Sequence, residues 1–201
     1  PEGIGKRAVA LGFAALVNCI GEPPLDAMGR ATDGCGTCRH CRRILATDGT
    51  GAGHPDVHFV APDGRRIKIE QVRELIRRVP FPPIEAAFRV VIVDPADALG
   101  EAAANALLKT LEEPSSQTRF VLVSSRPDAL LTTIVSRCQR VAFQRLSDAD
   151  ITTALADRHG VDPAEARAVA PLAGGSLGHA LALLEDPVLK ERDALVSRLI
   201  G

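Results

Sequence analysis

The stretch Arg89-Val90-Val91-Ile92-Val93-Asp94 decides the fold class of this chain. Its run of β-branched residues predicts a strand that is buried on both faces, which is typical of a parallel sheet covered by helices. Similar apolar runs at 57–60 and 120–123 predict two more strands, and a shorter run at 141–143 predicts another. Helix-like patterns fill the segments between them. Strands that alternate with helices indicate an α/β domain built from right-handed βαβ units.

Helices are expected where apolar residues recur at three- and four-residue steps. The first such pattern runs from Lys6 to Ile20, with its apolar positions at Val9, Phe13, Leu16 and Val17. The other helices expected beside the strands are a short one over 42–46, one over 69–79 that Pro80 stops, and one over 104–111 that ends before Pro114.

Only helix patterns follow residue 147. They cover 148–159, 163–171, 177–185 and 187–200, with Asp148, Asp162 and Ser176 as expected caps or near-caps. We therefore predict an α/β domain over residues 1–145 and a small helical domain over residues 146–201.

Composition excludes several classes of protein. The 24 basic residues against 25 acidic ones give a net charge of −1, which argues against coating nucleic acid or anionic lipid by bulk charge. With six Phe and neither Trp nor Tyr, the chain has little material for base stacking. No apolar run approaches the roughly 20 residues of a membrane span. We therefore expect no membrane partner and no signal peptide.

Three of the five cysteines form a tight array, with two residues between Cys35 and Cys38 and two between Cys38 and Cys41. Such spacing lets a turn of backbone direct several thiolates at one tetrahedral zinc ion. A fourth ligand is needed, and Cys19 is the candidate because the Gly- and Pro-rich segment 21–34 can loop back to close the site. Since four thiolates leave no open position, we expect structural Zn²⁺.

The alternatives to zinc are a disulfide and simple buried thiols. An odd number of cysteines and the lack of a secretory signal disfavour the disulfide. His40 is an alternative ligand, but it is expected to face solvent. Cys138 stands far from the others in sequence and is expected to be a small buried residue.

The opening segment Gly3-Ile4-Gly5-Lys6-Arg7 resembles the end of a phosphate-binding loop. In the pattern G-x-x-x-x-G-K-[ST], backbone N–H groups and the lysine hold phosphate, and the hydroxyl binds Mg²⁺. Arg7 stands at the hydroxyl position, where it cannot ligate a cation, and the first glycine of the pattern would precede Pro1. The alternative is a tight turn from strand to helix that binds nothing.

Asp94, at the end of its strand, stands where a further Mg²⁺ ligand is expected in such proteins. The general base that hydrolysis needs is usually a Glu one residue later, and here that residue is Pro95. Asp97 is not expected to point in the same direction. The candidate nucleotide site is therefore degenerate, and its residues are Gly3, Gly5, Lys6 and Asp94.

The segment Asn105-Ala106-Leu107-Leu108-Lys109-Thr110-Leu111-Glu112-Glu113-Pro114, followed by Ile134-Val135-Ser136-Arg137-Cys138, resembles the bacterial clamp-loader subunits of the AAA+ family. A four-cysteine module after the P-loop helix is similar to that of the delta-prime and gamma/tau members. The resemblance covers essentially the whole chain. It implies an AAA+ P-loop domain with a zinc module at about 19–41 and a helical lid domain, and the family's C-terminal collar domain is expected to be absent.

The resemblance also implies loss of ATP hydrolysis. Gamma/tau members keep an intact ATPase site, whereas delta-prime members do not, and Arg7 with Pro95 places this chain among the latter. The segment 175–181 resembles the sensor-2 motif, whose arginine contacts the γ-phosphate, and Gly178 stands at the arginine position. Ser124 and Ser125 stand near the sensor-1 position. No ATP/Mg²⁺ hydrolysis is therefore expected.

For Arg137 the resemblance implies a role in trans, as an arginine finger that reaches the γ-phosphate of ATP bound by a neighbouring subunit. A permanently charged guanidinium suits this role because it forks onto phosphate oxygens. From the residues alone, the alternative is a solvated or ion-paired arginine at a helix end.

Together these features imply a non-hydrolysing subunit of the DNA polymerase III clamp loader, of the delta-prime type. Its expected partners are gamma/tau and delta subunits and, through the assembly, primer-template DNA and the sliding clamp, in the bacterial cytoplasm. The rivals are a gamma/tau-type ATPase and a zinc-stabilised adaptor with a relic P-loop. Six basic residues either face DNA in the ring or form a solvated surface: Arg65, Arg66, Lys68, Arg73, Arg77 and Arg78.

Overall fold

The computed structural model describes residues 2–46 and 53–186, and the helix predicted over 187–200 lies outside them. The chain divides into two compact units. The first consists of residues 7–140 and holds the sheet. The second consists of residues 1–6 together with 141–201.

Three parallel strands form the sheet in the order β1 (Val57–Val60), β2 (Arg89–Val93) and β3 (Thr118–Leu122). The β-branched strand β2 lies in the middle, where every one of its residues is buried. The predicted α/β class is therefore confirmed. The carboxyl end of β2 leads directly into Asp94.

Five helices accompany the sheet. They are α1 (Lys6–Val17), α2 (Arg39–Leu45), α3 (Ile69–Arg78), α4 (Glu101–Glu112) and α5 (Thr132–Val135). Alternate residues of β2 enter two separate cores. Val91 and Val93 pack with residues of α3 and α4, whereas Val90 and Ile92 pack with residues of α1 and α2. Both faces of the sheet are thus covered, and this is why a continuous apolar run is stable in β2.

The buried face of α1 is not the one that its large apolar residues suggest. Ala10, Ala14 and Ala15 are buried, whereas Val9 and Phe13 are 54% and 38% exposed. The spacing of apolar residues predicts a helix. It does not predict whether the alanine face or the face with the large side chains packs on the sheet. Here small side chains face inward, and they let the helix approach closely.

The second unit is helical, with α6 (Asp148–His159), α7 (Pro163–Val169) and α8 (Leu177–Glu185), and a short 3-10 turn at Ala170–Ala173 follows α7. The cap of α6 is Ser147 instead of Asp148, because the Ser147 hydroxyl accepts from the Asp150 N–H. Asp162 and Ser176 cap α7 and α8, as expected.

The strand predicted over 141–143 is wrong, since these described residues form no regular structure. Val141 is 69% exposed, so the burial that would stabilise a short strand is missing. Within the described residues, no single helix has both the length and the apolar character to cross a membrane. The bent pair Pro163–Ala173 and Leu177–Glu185 meets these criteria together, by length and composition only.

Candidate functional site

The four cysteines singled out in the sequence come together in the first unit. Cys19 follows α1, Cys35 and Cys38 lie in the loop before α2, and Cys41 lies in the first turn of α2. Their Sγ atoms all lie within 4.8 Å of one another. The Sγ atoms of Cys35 and Cys41 are 4.0 Å apart. Two thiolates on one tetrahedral zinc, with bonds of about 2.3 Å, are separated by about 3.8 Å.

Backbone N–H groups point at the sulfurs. The Cys35 N–H donates to Cys19 Sγ at 3.4 Å, the Cys38 N–H to Cys35 Sγ at 3.3 Å, and the Cys41 N–H to Cys38 Sγ at 3.4 Å. Such donors favour the thiolate, which is the form that binds metal. The backbone of the loop therefore favours the negatively charged form of these sulfurs, which is the form that binds a cation.

Two glycines allow the loop to close on these sulfurs. A Cβ on Gly21 would lie 2.7 Å from Cys35 Sγ, and one on Gly34 would lie 2.7 Å from Cys41 Sγ. Both distances are too short for a side chain, so glycine is required at each place.

The thiols differ in acidity. The Thr37 hydroxyl, together with backbone N–H groups, lowers the pKa of Cys35 to about 6, whereas burial raises the pKa of Cys41 to about 12. Burial therefore favours the neutral thiol of Cys41 at pH 7, and a cation beside it would favour the thiolate. Four sulfurs that lie within 4.8 Å of one another, in a loop closed by two glycines, fit a structural zinc ion. Cys138 is not part of this group, and burial raises its pKa.

A second cluster, of His40, His54 and Glu85, also gathers possible ligand atoms within 4.8 Å of one another. Contrary to expectation, His40 does not face solvent, because both His40 and His54 are only 2% exposed. His40 Nδ1 and His54 Nε2 are 2.8 Å apart, which is the length of a hydrogen bond. This is shorter than the roughly 3.3 Å expected for two nitrogens on one tetrahedral zinc.

The outer nitrogen of His54 decides the chemistry of the cluster. The Asp56 N–H donates to His54 Nδ1 at 3.1 Å, so a neutral His54 carries its proton on Nε2 and donates it to His40 Nδ1. A histidine that binds metal carries a proton on its other nitrogen and donates it, so a donor at His54 Nδ1 opposes metal binding. The pair therefore fits a hydrogen bond between the two rings better than a metal ion. Burial lowers the pKa of His54, which favours the neutral ring.

The opening loop has the backbone of a tight turn. Gly3 and Gly5 have φ values of 68° and 87°, a left-handed conformation that favours glycine, and Lys6 begins α1. Gly3 also lies against the start of α8. Its carbonyl accepts from the Gly178 N–H at 2.9 Å. A Cβ on Gly178 would lie 3.0 Å from the Gly3 Cα, so the predicted sensor-2 position has no room for a side chain unless Gly3 shifts.

Arg7 and Asp94, the residues at the two expected Mg²⁺ ligand positions, form an ion pair. Arg7 Nε donates to Asp94 Oδ2 at 2.6 Å, and the two side chains are 49% and 14% exposed. The guanidinium therefore places its positive charge on the carboxylate at the predicted metal-ligand position. The sequence placed Arg7 and Asp94 at the candidate nucleotide site but did not indicate this pairing.

Asp97 is occupied by other partners. It accepts from Ser124 Oγ at 2.7 Å and from Arg126 Nη2 at 2.9 Å. Burial works against ionisation of Asp97, but these donors hold its pKa below the usual range. A carboxylate with a lowered pKa is a poor general base. The sequence placed Ser124 near this site but missed Arg126, which became recognisable only once the loop after β3 was seen.

Arg137 lies just beyond α5 and contacts the end of α4. Its Nε donates to Glu112 Oε1 at 2.8 Å, and Nη2 donates to the same oxygen. Its Nη1 donates to the Thr133 carbonyl at 2.8 Å and to Ser136 Oγ at 3.3 Å. The residue is thus ion-paired within its own chain, and its side chain remains 33% exposed.

The basic residues around α3 are mostly exposed, and two of them have acidic partners. Lys68 pairs with Asp63 and Arg78 pairs with Glu74, each at 2.5 Å.

The chain resembles AAA+ P-loop proteins in fold. The structure of a point mutant of RuvB from Thermotoga maritima matches it with a TM-score of 0.52, at 16% sequence identity, over 92% of this chain and 60% of that one. At this identity the likeness concerns the fold alone.

Relatives found by sequence comparison have a higher identity to this chain. The chain is 34% identical over 200 residues to DNA polymerase III subunit delta' of Bacillus subtilis, which covers 98% of this chain and 56% of that protein. It is 31% identical over 207 residues to the tau subunit of the same organism, over 98% of this chain and 34% of tau. The chain thus spans about half the length, or less, of these curated relatives. Because the family model described as "DNA polymerase III, delta subunit" matches residues 1–147, the chain belongs to that family, beside the delta' subunits of the AAA+ clamp-loader group.

Proposed function

We propose that this chain acts as a non-hydrolysing, delta-prime-type subunit of a DNA polymerase III clamp loader. In this role it joins gamma/tau and delta subunits and helps them load the sliding clamp on primed DNA. The observation that carries the absence of hydrolysis is the ion pair between Arg7 and Asp94. The delta' and tau relatives support the role in a clamp loader.

The physical reason is electrostatic. A bound Mg²⁺ needs oxygen ligands, and here the hydroxyl is replaced by a guanidinium that already neutralises Asp94. A divalent cation at this place would displace Arg7 and would stand close to its charge. Pro95 offers no base, and Asp97 is held by Ser124 and Arg126. Two separate requirements of hydrolysis, a site for Mg²⁺ and a general base, are therefore unmet in this proposal.

In the same proposal Arg137 acts in trans. It stabilises the charge that develops on the γ-phosphate of ATP held by an adjoining ATPase subunit. A chain that does not hydrolyse ATP can still complete its neighbour's site in this way. The support is that Arg137 is partly exposed and is held by contacts that a phosphate can replace.

The rest of the chain serves this work structurally. We propose that residues 1–145 form the RecA-like domain of an AAA+ subunit and residues 146–201 its lid. Zn²⁺ held by Cys19, Cys35, Cys38 and Cys41 would tie α1 to the segment that leads into α2. Zinc has no catalytic step here, because four thiolates leave no open position.

An ATPase assay separates this proposal from a tau-type enzyme, which the 31% identity to tau makes the natural alternative. The isolated protein should show no hydrolysis above background, with and without primed DNA. Metal-dependent turnover that is lost in Lys6→Ala would overturn the proposal and favour the tau-type function.

The trans role is tested in a loader reconstituted from this protein and its ATPase and delta partners. Arg137→Ala should lower ATP hydrolysis by the complex on the order of 10²-fold or more, since trans arginines contribute roughly 10³–10⁵ in related phosphoryl transfer. Arg140→Ala is the matched control, because Arg140 lies three residues further on and is exposed. Equal rates for the wild type and Arg137→Ala would remove Arg137 from the reaction.

A further inference from the structure

Glu112 stands where an acidic residue is electrostatically unfavourable. It is the last residue of α4, Glu113 follows it, and the carbonyl end of a helix repels negative charge. Helix stability therefore does not explain a glutamate here. The contact with Arg137, which lies just beyond α5, does explain it. Both Nε and Nη2 of Arg137 donate to one carboxylate oxygen of Glu112.

These contacts fix the plane of the Arg137 guanidinium. Glu112 holds its Nε edge, and the Thr133 carbonyl and Ser136 Oγ hold Nη1. A guanidinium has five N–H donors, and contacts among the described residues engage four of them. The remaining donor is on Nη2. It is therefore the atom that can meet a phosphate oxygen before any contact is broken.

We propose that Glu112 is a positioning residue for Arg137, an inference that rests on the proposed trans role of that arginine. By holding the Nε edge, Glu112 removes rotational freedom that a free arginine would lose on binding phosphate. The finger then meets its neighbour's nucleotide in a set orientation.

The solvent exposure of the Glu112–Arg137 pair indicates that Glu112 orients Arg137 but does not hold it tightly. The side chains of Glu112 and Arg137 are 45% and 33% exposed, and ion pairs that water reaches are weak. A γ-phosphate carries more charge than one carboxylate, so it can draw the guanidinium away at little cost. Glu112 therefore aligns the arginine before the reaction without withholding it.

The test compares three variants in the reconstituted loader. Glu112→Ala removes the acceptor and should lower kcat for ATP by roughly threefold to tenfold, as expected when one mobile side chain must be ordered during the reaction. KM should stay unchanged, because nucleotide is held by the neighbouring subunit. Glu112→Gln keeps an oxygen at the same place and should recover most of the rate. Glu113→Ala, which removes an adjacent charge, should match the wild type.

A spectroscopic measurement on the full chain reads the contact directly. The Arg137 Nε–H resonance should exchange slowly with water in the wild type and in Glu112→Gln, and should broaden or vanish in Glu112→Ala. Thermal unfolding of each variant checks that a lowered rate does not reflect unfolding.

Each outcome has a separate meaning. If Arg137→Ala slows hydrolysis but Glu112→Ala does not, the positioning role is overturned while the proposed function stands. A rate that rises in Glu112→Ala, or falls equally in Glu112→Ala and Glu112→Gln, also overturns positioning. If Arg137→Ala has no effect, the proposed function fails and this inference fails with it.

Discussion

Two regions of the first unit gather negative charge, and they neutralise it differently. Four sulfurs meet near α2 with backbone N–H groups pointing at them, but with no basic side chain bound to them in the part of the chain described. At the end of β2, in contrast, Asp94 receives the guanidinium of Arg7. The first region could hold a cation from outside, whereas the second has its cation built into the chain. The source of the compensating charge thus distinguishes a candidate metal site from a carboxylate that its own chain neutralises.

The largest effect is expected from the four-cysteine group, which could hold a cation from outside. Structural zinc contributes about 10 kcal/mol in small metal-folded domains, so its loss should remove much of a domain stability of roughly 5–15 kcal/mol. Cys41→Ser, or a strong chelator with the wild type, should therefore lower the midpoint of thermal unfolding markedly. Metal analysis should find one zinc per chain.

Cys138→Ser is the control, since Cys138 is not part of the cluster. It should keep the zinc and lose little stability. A wild type that holds no metal and is indifferent to chelator would contradict the zinc site.

A second carboxylate extends the comparison, because Asp56 is buried without any basic side chain bound to it among the described residues. Its oxygens accept from the N–H groups of Ile84, Glu85 and Ala86 at 2.6, 2.9 and 3.0 Å. Burial alone would raise the pKa of Asp56, but these donors hold it below the usual value. Backbone dipoles are thus a further source of compensating charge.

Asp56→Asn should cost about 2–3 kcal/mol at pH 7, because an amide hydrogen would face an N–H donor. The pKa of Asp56 is lower folded than unfolded, so its contribution is present above about pH 4 and is lost as the pH falls through the folded value. Denaturant unfolding at pH 7 and pH 3 measures this. A difference between wild type and variant that does not shrink at pH 3 would refute the explanation.

The smallest change in stability, and the sharpest test of the comparison, is expected from Arg7→Ser. Loss of a half-exposed ion pair should cost about 1 kcal/mol or less. The variant would, however, place a hydroxyl beside a free Asp94. Mg²⁺ should then raise the unfolding midpoint of Arg7→Ser in the presence of ATP, while leaving that of the wild type unchanged.

Arg78→Ser breaks another exposed pair and serves as the control, with no gain of Mg²⁺ response expected. If Mg²⁺ with ATP stabilises the wild type as strongly as Arg7→Ser, Arg7 does not replace the metal ion.

Local patterns in the sequence predicted those features that depend on local physics. The β-branched run of β2 predicted a strand that is buried on both faces. The spacing of the cysteines predicted that their sulfurs lie close together. Long-range pairing was harder to predict. Arg7 and Asp94 are 87 residues apart, and Arg137 and Glu112 are 25 apart, so only the folded chain shows them as partners.

The failures of prediction have physical causes too. His40 stands between cysteines in the sequence, but α2 turns its ring inward to meet His54, which no periodic pattern marks. In α1 the prediction was based on the large apolar side chains, whereas alanines form the buried face. The run at 141–143 has strand-like residues but lacks a neighbour to pair with.

The close contact between Gly3 and Gly178 limits which side chains position 178 accepts. A side chain introduced there would place a Cβ against the Gly3 backbone, which is itself held in a left-handed turn. An arginine can therefore be introduced at position 178 only together with a rebuilt loop at Gly3.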